Sequence, residues 1–269
     1  MKIIRFVDAS GEILLGTPAD AGKAAILRGD PSGPLATGDT VVAIKSLLAP
    51  VSPVNIYCIG LNYRDHAMET GAPLPEQPVV FMKPTTSVIS AGAAINLPAA
   101  CEHGPEVDFE AELAVVIGRT ARDVKAGDAL DHVLGYTCAN DVSARRWQKH
   151  GGGGQWVRGK SFDTFCPLGP TLVTADEIPD PQNLSIRCRL NGQPMQSGHT
   201  RDMIFPVAHL IAHLSRDTTL LPGTVILTGT PAGVGFTREP PVFLADGDSV
   251  EVEIEGIGTL TNPVTGPAP

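Results

Sequence analysis

Residues 107–117 read VDFEAELAVVI, and this stretch carries the strongest indication of the fold. Acidic and apolar residues alternate as far as Leu113, and the run then becomes continuously apolar, as in a strand that enters a hydrophobic core. The two-residue period of a strand puts Asp108, Glu110 and Glu112 on one face. Carboxylates that share a buried face need raised pKa values or a cation, such as a hard divalent ion with oxygen ligands. The pattern equally fits a half-exposed strand with a solvated acidic face.

Glycine and proline are spread along the whole chain and separate short runs of β-type sequence. The 269 residues include 29 glycines and 24 prolines, which is too many for a helical protein. Strands are predicted at 56–60, 79–82, 107–118, 134–141, 167–174, 184–190, 224–228 and 248–255. Asn191-Gly192 predicts a tight hairpin turn, and helices are predicted at 205–216 and 143–150. We therefore expect a mixed, β-rich α+β fold.

The first fifty residues look like a separate small unit. Two runs at 3–7 and 12–15 predict a hairpin, and a third β-type run follows at 40–44. Prolines 50 and 53 then precede the apolar run at 56–59. This pattern predicts a small N-terminal β domain over 1–53 and a larger domain over 54–269.

Charge and composition exclude several classes of partner. The net charge of −9 repels phosphate backbones, so we expect no nucleic acid. The longest apolar runs are far too short to cross a bilayer, so we expect no membrane span. The five cysteines form neither an even framework nor a CxxC pair, which indicates reduced thiols. Asp8 and Glu12 interrupt the first residues before a signal sequence can develop, so we expect a cytoplasmic protein.

Two further segments contain residues suited to catalysis. Asp141 ends the apolar run at 133–139, where it can cap a helix or add a third carboxylate to Glu110 and Glu112. In the segment GLNYRDHAMETG at 60–71, His66 and Glu69 lie at i, i+3. If residues 64–69 form a helix, the carboxylate can orient the imidazole as a general base, although a surface pair has the same spacing.

A third segment, at 154–161, matches the phosphate-binding pattern GxxxxGK[ST] literally. The P-loop mechanism requires a buried strand before this string and a helix after it, and neither is predicted here. We expect a glycine loop leading to Lys160 instead, with nucleotide binding as a minor alternative. The segment TGTPAGVG at 228–235 can present backbone N–H groups and the Thr230 hydroxyl to an anionic substrate.

Six motifs together resemble the fumarylacetoacetate hydrolase family. In chain order they are GLNYRDHA, PVVFMKP, VDFEAELAVVIG, GYTCANDVSAR, GKSFDTFCPLGP and LTGTPAGVG, and the match runs from about Tyr57 to Pro263. The resemblance implies a β-roll catalytic domain, a homodimer, and a Mg²⁺ or Mn²⁺ ion bound by Glu110, Glu112 and Asp141. It also implies that His66 and Glu69 activate water on a lid helix.

Further site residues follow from the same resemblance. Lys160 would hold the substrate or stabilise developing charge, and Arg64, Gln148 and Thr230 would contact the substrate. One departure concerns Arg146, which stands where many relatives have an acid in DVSARD. This departure leaves the metal ligands intact and affects the contacts near Gln148.

The chemistry implied by the resemblance is hydrolysis of a carbon–carbon bond in a 1,3-dicarbonyl 2-oxo acid. Acylpyruvates or sugar-derived diketo acids would give a carboxylic acid and a 2-oxo acid. Oxaloacetate decarboxylation, isomerisation of 2-hydroxyhepta-2,4-diene-1,7-dioate and ureidoglycolate cleavage are alternatives on the same fold. A binding module without catalysis is disfavoured because it has no need of a water-activating pair.

Overall fold

Strands predominate along the chain, and its helices are short. The computed structural model describes residues 1–29 and 35–266, so residues 30–34 of the predicted first domain and 267–269 of the predicted second domain lie outside the described part. The strands are β1 Lys2–Asp8, β2 Ile13–Pro18, β3 Lys23–Arg28, β4 Ala36–Leu48, β5 Ile56–Gly60, β6 Val79–Met82, β7 Val88–Ile89, β8 Ile95–Asn96, β9 Val107–Asp108, β10 Ala111–Ile117, β11 Val133–Asn140, β12 Ser143–Ala144, β13 Cys166–Thr174, β14 Ser185–Leu190, β15 Gln193–His199, β16 Val225–Leu227, β17 Ser249–Ile254 and β18 Gly258–Thr265. The α-helices are α1 Arg64–Glu69, α2 Arg145–Lys149, α3 Val157–Lys160 and α4 Val207–Leu214. Short 3₁₀ helices cover Thr85–Ser87, Ala126–His132, Ala175–Glu177, Thr200–Asp202 and Gly235–Thr237.

The central sheet is built around β10. Its neighbours are β11 and β16, and the sheet continues to β13 and β1 on one side and to β5 and β6 on the other. A second sheet has the order β15-β14-β17-β18-β8 in the described residues. Leu113 and Val115 of β10 belong to the same core cluster as Ile186 of β14 and Val252 of β17. The main core therefore lies between these two sheets.

The continuous apolar run of β10 has a direct physical cause. Leu113, Val115 and Ile117 belong to the core between the sheets, whereas Ala114 and Val116 belong to a second core cluster. Successive side chains of a strand point to opposite faces, so β10 is buried on both. Continuing the alternation puts Glu112 on the face of Ala114 and Val116.

The N-terminal strands form a closed ring in the described residues. β1 pairs with β2, β2 with β3, β3 with β4, and β4 again with β1, all antiparallel. β1 also pairs with β13 through Lys2 and Ile3, so the ring is joined to the central sheet. The division into domains at residue 53 stays a prediction.

Two predicted elements differ from the structure. The strand predicted over 107–118 is interrupted at residues 109–110, where β9 turns away to pair with β12. The helix predicted over 143–150 begins only at Arg145, since residues 143–144 form β12. Strands β3, β7, β8, β12 and β18 were not predicted. The other predicted strands, helix α4 and the Asn191-Gly192 turn are present.

Gly135 of β11 lies between two neighbouring strands, and we expect Gly135→Ala to destabilise the protein by about 1–3 kcal/mol. A Cβ at this position would overlap the backbone carbonyl of Val173 on β13. Chemical denaturation followed by circular dichroism measures the effect. Gly127→Ala is the matched control because a Cβ there meets nothing within 4 Å. Equal denaturation midpoints for the two variants would contradict the packing described for β11.

Candidate active site

A cavity of about 180 Å³ lies between α1, the start of β10, and helices α2 and α3. Its lining includes six of the site residues predicted from the sequence: His66, Glu110, Glu112, Gln148, Lys160 and Thr230. Trp156 forms part of the wall, and its ring lies so close to Gly60 that any Cβ at position 60 would overlap it. The ring of Phe81 meets Trp156 edge to face, with 5.7 Å between the centroids.

Three carboxylates meet beside this cavity. Glu110, Glu112 and Asp141 are all buried, and each offers an oxygen within 4.8 Å of the others. Glu112 is in β10, Glu110 precedes it at the interruption, and Asp141 directly follows β11. The backbone holds this arrangement, because the N–H of Asp141 donates to the carbonyl of Glu110 at 2.9 Å. The cluster combines two acids of the 107–117 run with the distant Asp141.

Buried cations neutralise part of this cluster. Lys160 Nζ donates to Glu110 Oε2 at 2.8 Å and to Asp141 Oδ2 at 2.7 Å. Lys83 Nζ lies 2.7 Å from Asp141 Oδ1, and Arg145 donates to Glu110 Oε1 at 2.6 Å. Glu110 and Asp141 therefore have cationic partners.

The pKa values follow these contacts. Burial by itself would raise the pKa of Glu110, but Lys160 and Arg145 hold it well below its ordinary value. Burial and the charges of Asp141 and Glu110 raise the pKa of Glu112 well above its ordinary value. A backbone N–H, that of Gly229, donates to Glu112 Oε2 at 2.7 Å. Glu112 is thus the carboxyl group of the cluster that favours the protonated form.

The donor set fits a hard divalent cation. Mg²⁺ and Mn²⁺ prefer oxygen ligands, and the cluster supplies three carboxylates from a rigid strand and its neighbour. A cation would also remove the like-charge repulsion that raises the pKa of Glu112. Glu110, Glu112 and Asp141 can therefore hold such an ion.

His66 and Glu69 form the pair predicted from their spacing. Helix α1 covers Arg64–Glu69, and His66 Nδ1 lies 2.7 Å from Glu69 Oε1. Glu69 is itself fixed, because Oε2 accepts from the Gly233 N–H at 2.9 Å and from the Thr237 hydroxyl at 3.1 Å. With Nδ1 facing a carboxylate, Nε2 is the ring nitrogen left for a proton transfer in the cavity.

Of the remaining predicted residues, Gln148 and Thr230 line the cavity and Arg64 does not. Gln148 lines the cavity, and its Oε1 accepts from Arg145 at 3.0 Å. The Thr230 hydroxyl donates to the Ala111 carbonyl at 2.9 Å and accepts from Gln196 at 2.7 Å, which leaves one lone pair. Arg64 is exposed on α1 and lies outside the cavity lining. Arg146 is also exposed and donates to the carbonyl of His103.

Sequence reasoning missed Lys83 and Arg145 as parts of the site, and its prediction that Asp108 shares a face with Glu110 and Glu112 was wrong. Asp108 does not join the carboxylate cluster, because Arg145 Nε and the N–H groups of Gly235 and Phe236 donate to it. Lys83 donates to three backbone carbonyls, those of Val142, Lys160 and Phe165. Lys83 lies in the motif PVVFMKP and Arg145 in the motif GYTCANDVSAR. These two motifs of the family resemblance could have indicated them.

The phosphate-binding pattern at 154–161 has no P-loop context in the structure. Lys160 is the last residue of helix α3, whereas in a P-loop the helix follows the lysine. Residues 161–165 form turns before β13. The lysine ammonium faces two carboxylates at 2.7 and 2.8 Å. The alternative of nucleotide binding thus finds no support in this geometry.

A family model described as the C-terminal domain of fumarylacetoacetate (FAA) hydrolase matches residues 55–265. The chain belongs to this family. The family's enzymes commonly bind a divalent metal, in keeping with the acidic cluster. Among the described helices, none has the length and apolarity to span a membrane.

Curated members of the fumarylacetoacetate hydrolase family include two similar mitochondrial enzymes. The oxaloacetate tautomerase fahd2 of Xenopus laevis is 53% identical over 220 residues, which cover 81% of this chain and 68% of that protein. The oxaloacetate tautomerase FAHD2A of Homo sapiens is 51% identical, with coverage of 81% and 69%. These similarities indicate that the chain is an enzyme.

Solved structures of family members have the same fold. The 2-hydroxyhepta-2,4-diene-1,7-dioate isomerase of Mycobacterium marinum is 40% identical with a TM-score of 0.83, covering 99% of this chain and 98% of that one. The 5-carboxymethyl-2-hydroxymuconate delta-isomerase of Mycobacterium smegmatis is 39% identical with a TM-score of 0.84, covering 99% and 100%. The β-rich α+β fold with few helices is thereby confirmed.

Glu112 is expected to lose a proton when Mg²⁺ binds, because its raised pKa favours the protonated form and a ligand must be deprotonated. Affinity for Mg²⁺ should therefore rise with pH. Calorimetric titrations in two buffers of different ionisation enthalpy measure the proton release. Glu112→Gln should abolish this release and weaken binding about tenfold or more.

The exposed Glu76 provides a matched control, and Glu76→Gln should bind Mg²⁺ like the parent protein. Unchanged affinity and proton release in Glu112→Gln would show that Glu112 is not a ligand.

Proposed function

We propose that this chain is a tautomerase of oxaloacetate, interconverting the enol and keto forms of this short dicarboxylic 2-oxo acid. The observation that carries the proposal is that His66, joined to Glu69 at 2.7 Å, lines the same small cavity as Glu110 and Glu112. Two relatives more than half identical to the chain are named oxaloacetate tautomerases. A cavity of about 180 Å³ is also small beside typical ligand pockets of about 300–1,000 Å³, which suits a small substrate.

Tautomerisation moves one proton between carbon 3 and the oxygen on carbon 2, and leaves the composition unchanged. His66 Nε2 would take the proton from carbon 3 of the keto form and pass it to the oxygen on carbon 2, or carry a proton in the reverse direction from the enol oxygen to carbon 3. Glu69 orients the ring through Nδ1 and stabilises the imidazolium formed in this step. Burial by itself would raise the pKa of Glu69, but the bonds to His66 and Gly233 outweigh it, so this side chain stays ionised.

Lys160 is suited to stabilise the charge that develops on the oxygen. Glu110 and Asp141 engage two of its three N–H bonds, which leaves one for the substrate. Burial by itself would lower the pKa of Lys160, but Asp141 and Glu110 raise it overall. The side chain therefore stays an ammonium and acts as a donor, not as the base.

Other residues would bind and orient the acid. Mg²⁺ or Mn²⁺, held by Glu110, Glu112 and Asp141, would supply Lewis-acid polarisation of the 2-oxo group. Gln148 lines the cavity next to Arg145, and Thr230 has a lone pair free, so both are proposed substrate contacts. The role of Arg64, the homodimer and the cytoplasmic location stay predictions, and the two tautomerase relatives are named as mitochondrial proteins.

Hydrolysis of an acylpyruvate is the second candidate, and the His66–Glu69 pair is the observation that favours it. The same imidazole that moves a proton at carbon 3 could deprotonate a water. Hydrolysis differs from tautomerisation, isomerisation and decarboxylation in consuming that water. The reaction products therefore distinguish the two candidates.

We expect His66→Ala to lower oxaloacetate tautomerisation by about 10²- to 10⁴-fold, because a general base is removed. The decay of enol absorbance measures tautomerisation, and release of acetate and pyruvate from acetylpyruvate measures hydrolysis. His103→Ala is the matched control, since that side chain is exposed and outside the cavity lining. Calorimetry should find that Mg²⁺ binding to His66→Ala is retained.

Two results would argue against the proposal. Tautomerisation within threefold of the parent in His66→Ala would remove this residue from the reaction. Faster turnover of acetylpyruvate than of enol-oxaloacetate by the parent protein would favour the hydrolase.

A further inference from the structure

We propose that Lys149 binds the second carboxylate of the substrate and thereby selects dicarboxylic over monocarboxylic 2-oxo acids. This inference rests on the proposed function, in which the 2-oxo acid end of the molecule faces the carboxylate cluster. It names the residue that would recognise the opposite end.

Three basic side chains line the cavity, those of Arg145, Lys149 and Lys160. Arg145 donates to Asp108 at 2.9 Å and to Glu110 at 2.6 Å. Lys160 donates to two buried carboxylates of the cluster. Within residues 1–29 and 35–266, Lys149 forms no salt bridge. Its charge is therefore the one left to pair with an incoming anion.

Lys149 is held at the cavity by an aromatic ring. Its Nζ lies 4.0 Å from the centroid of the Phe236 ring, and the Arg145 guanidinium lies 4.4 Å from the same centroid. The backbone N–H of Phe236 donates to Asp108 Oδ2 at 3.1 Å, which fixes the backbone that carries this ring. An ammonium over a ring face gains electrostatic attraction without using its N–H donors on a carboxylate. Those donors are free to face a ligand.

The charge distribution in the cavity suits a dianion. Glu110 and Glu112 occupy the end beside β10, where an ion would bind the 2-oxo acid group. Lys149 is the last residue of α2, one helical turn after Arg145, so two cations lie close together. A second carboxylate would relieve the repulsion between them. A monocarboxylic acid has nothing to place there.

The test compares pyruvate with oxaloacetate, which differ by one carboxylate. Calorimetry measures the binding of each acid to the Mg²⁺-loaded protein, and kinetics give KM and kcat for oxaloacetate. Lys149→Met should weaken oxaloacetate binding about 5- to 20-fold, since a partly exposed charged hydrogen bond is lost. Pyruvate binding should change less than about twofold, and the kinetic loss should fall mainly on KM.

Two further variants complete the design. Lys149→Arg retains the charge and should restore oxaloacetate binding to within about threefold of the parent. Lys45→Met is the matched control, because Lys45 is exposed on β4 outside the cavity lining. It should bind both acids like the parent.

The inference is overturned if Lys149→Met weakens both acids equally, if it weakens neither, or if the parent protein fails to bind oxaloacetate. A parent protein that binds oxaloacetate without tautomerising it would disprove the proposed function alone. The comparison of the two acids would still decide the role of Lys149.

Discussion

Asp141 is fully buried, and each of its carboxylate oxygens lies 2.7 Å from a different lysine ammonium. Removing one partner from such a buried ion pair leaves an uncompensated charge, which costs about 3–5 kcal/mol. Lys83 follows β6, Lys160 ends α3, and Asp141 follows β11, so these contacts fix three separate segments. Lys83 also donates to the carbonyl of Lys160 at 2.6 Å. Lys83, which lies outside the cavity lining, thus positions Lys160, which is part of it.

The sequence predicted the strands well where burial has a simple period. Both faces of β10 are buried, which explains its unbroken apolar run. The interruption before it could not be predicted from local sequence. There the N–H groups of Glu110 and Ala111 donate to the side chains of Asn140 and Gln196, at 3.0 and 2.9 Å. Strand β18 was missed because its sequence, GTLTNPVT, contains a proline and polar residues and becomes a strand by pairing with β17.

The parts of the candidate site whose residues lie close together in the sequence could be predicted from their spacing. His66 and Glu69 are one helical turn apart, and Glu110 and Glu112 are two residues apart in the 107–117 run. Asp141 required the family resemblance, because its distance along the chain carries no periodic signal. Lys83, Arg145 and Asp108 were not assigned, since their partners are set by long-range packing. Arg145 links the cluster to Phe236 through Asp108, which joins two walls of the cavity.

The contact between Trp156 and Gly60 has a practical consequence. The chain has two tryptophans, and Trp156 is the one in the cavity wall, against the glycine that ends β5. The other, Trp147, hydrogen-bonds to the Ala100 carbonyl at 3.2 Å and lies under the Arg158 guanidinium. In a Trp147→Phe protein, the remaining indole would give fluorescence from the cavity wall alone. Ligand entry could then be followed in real time without attaching any label.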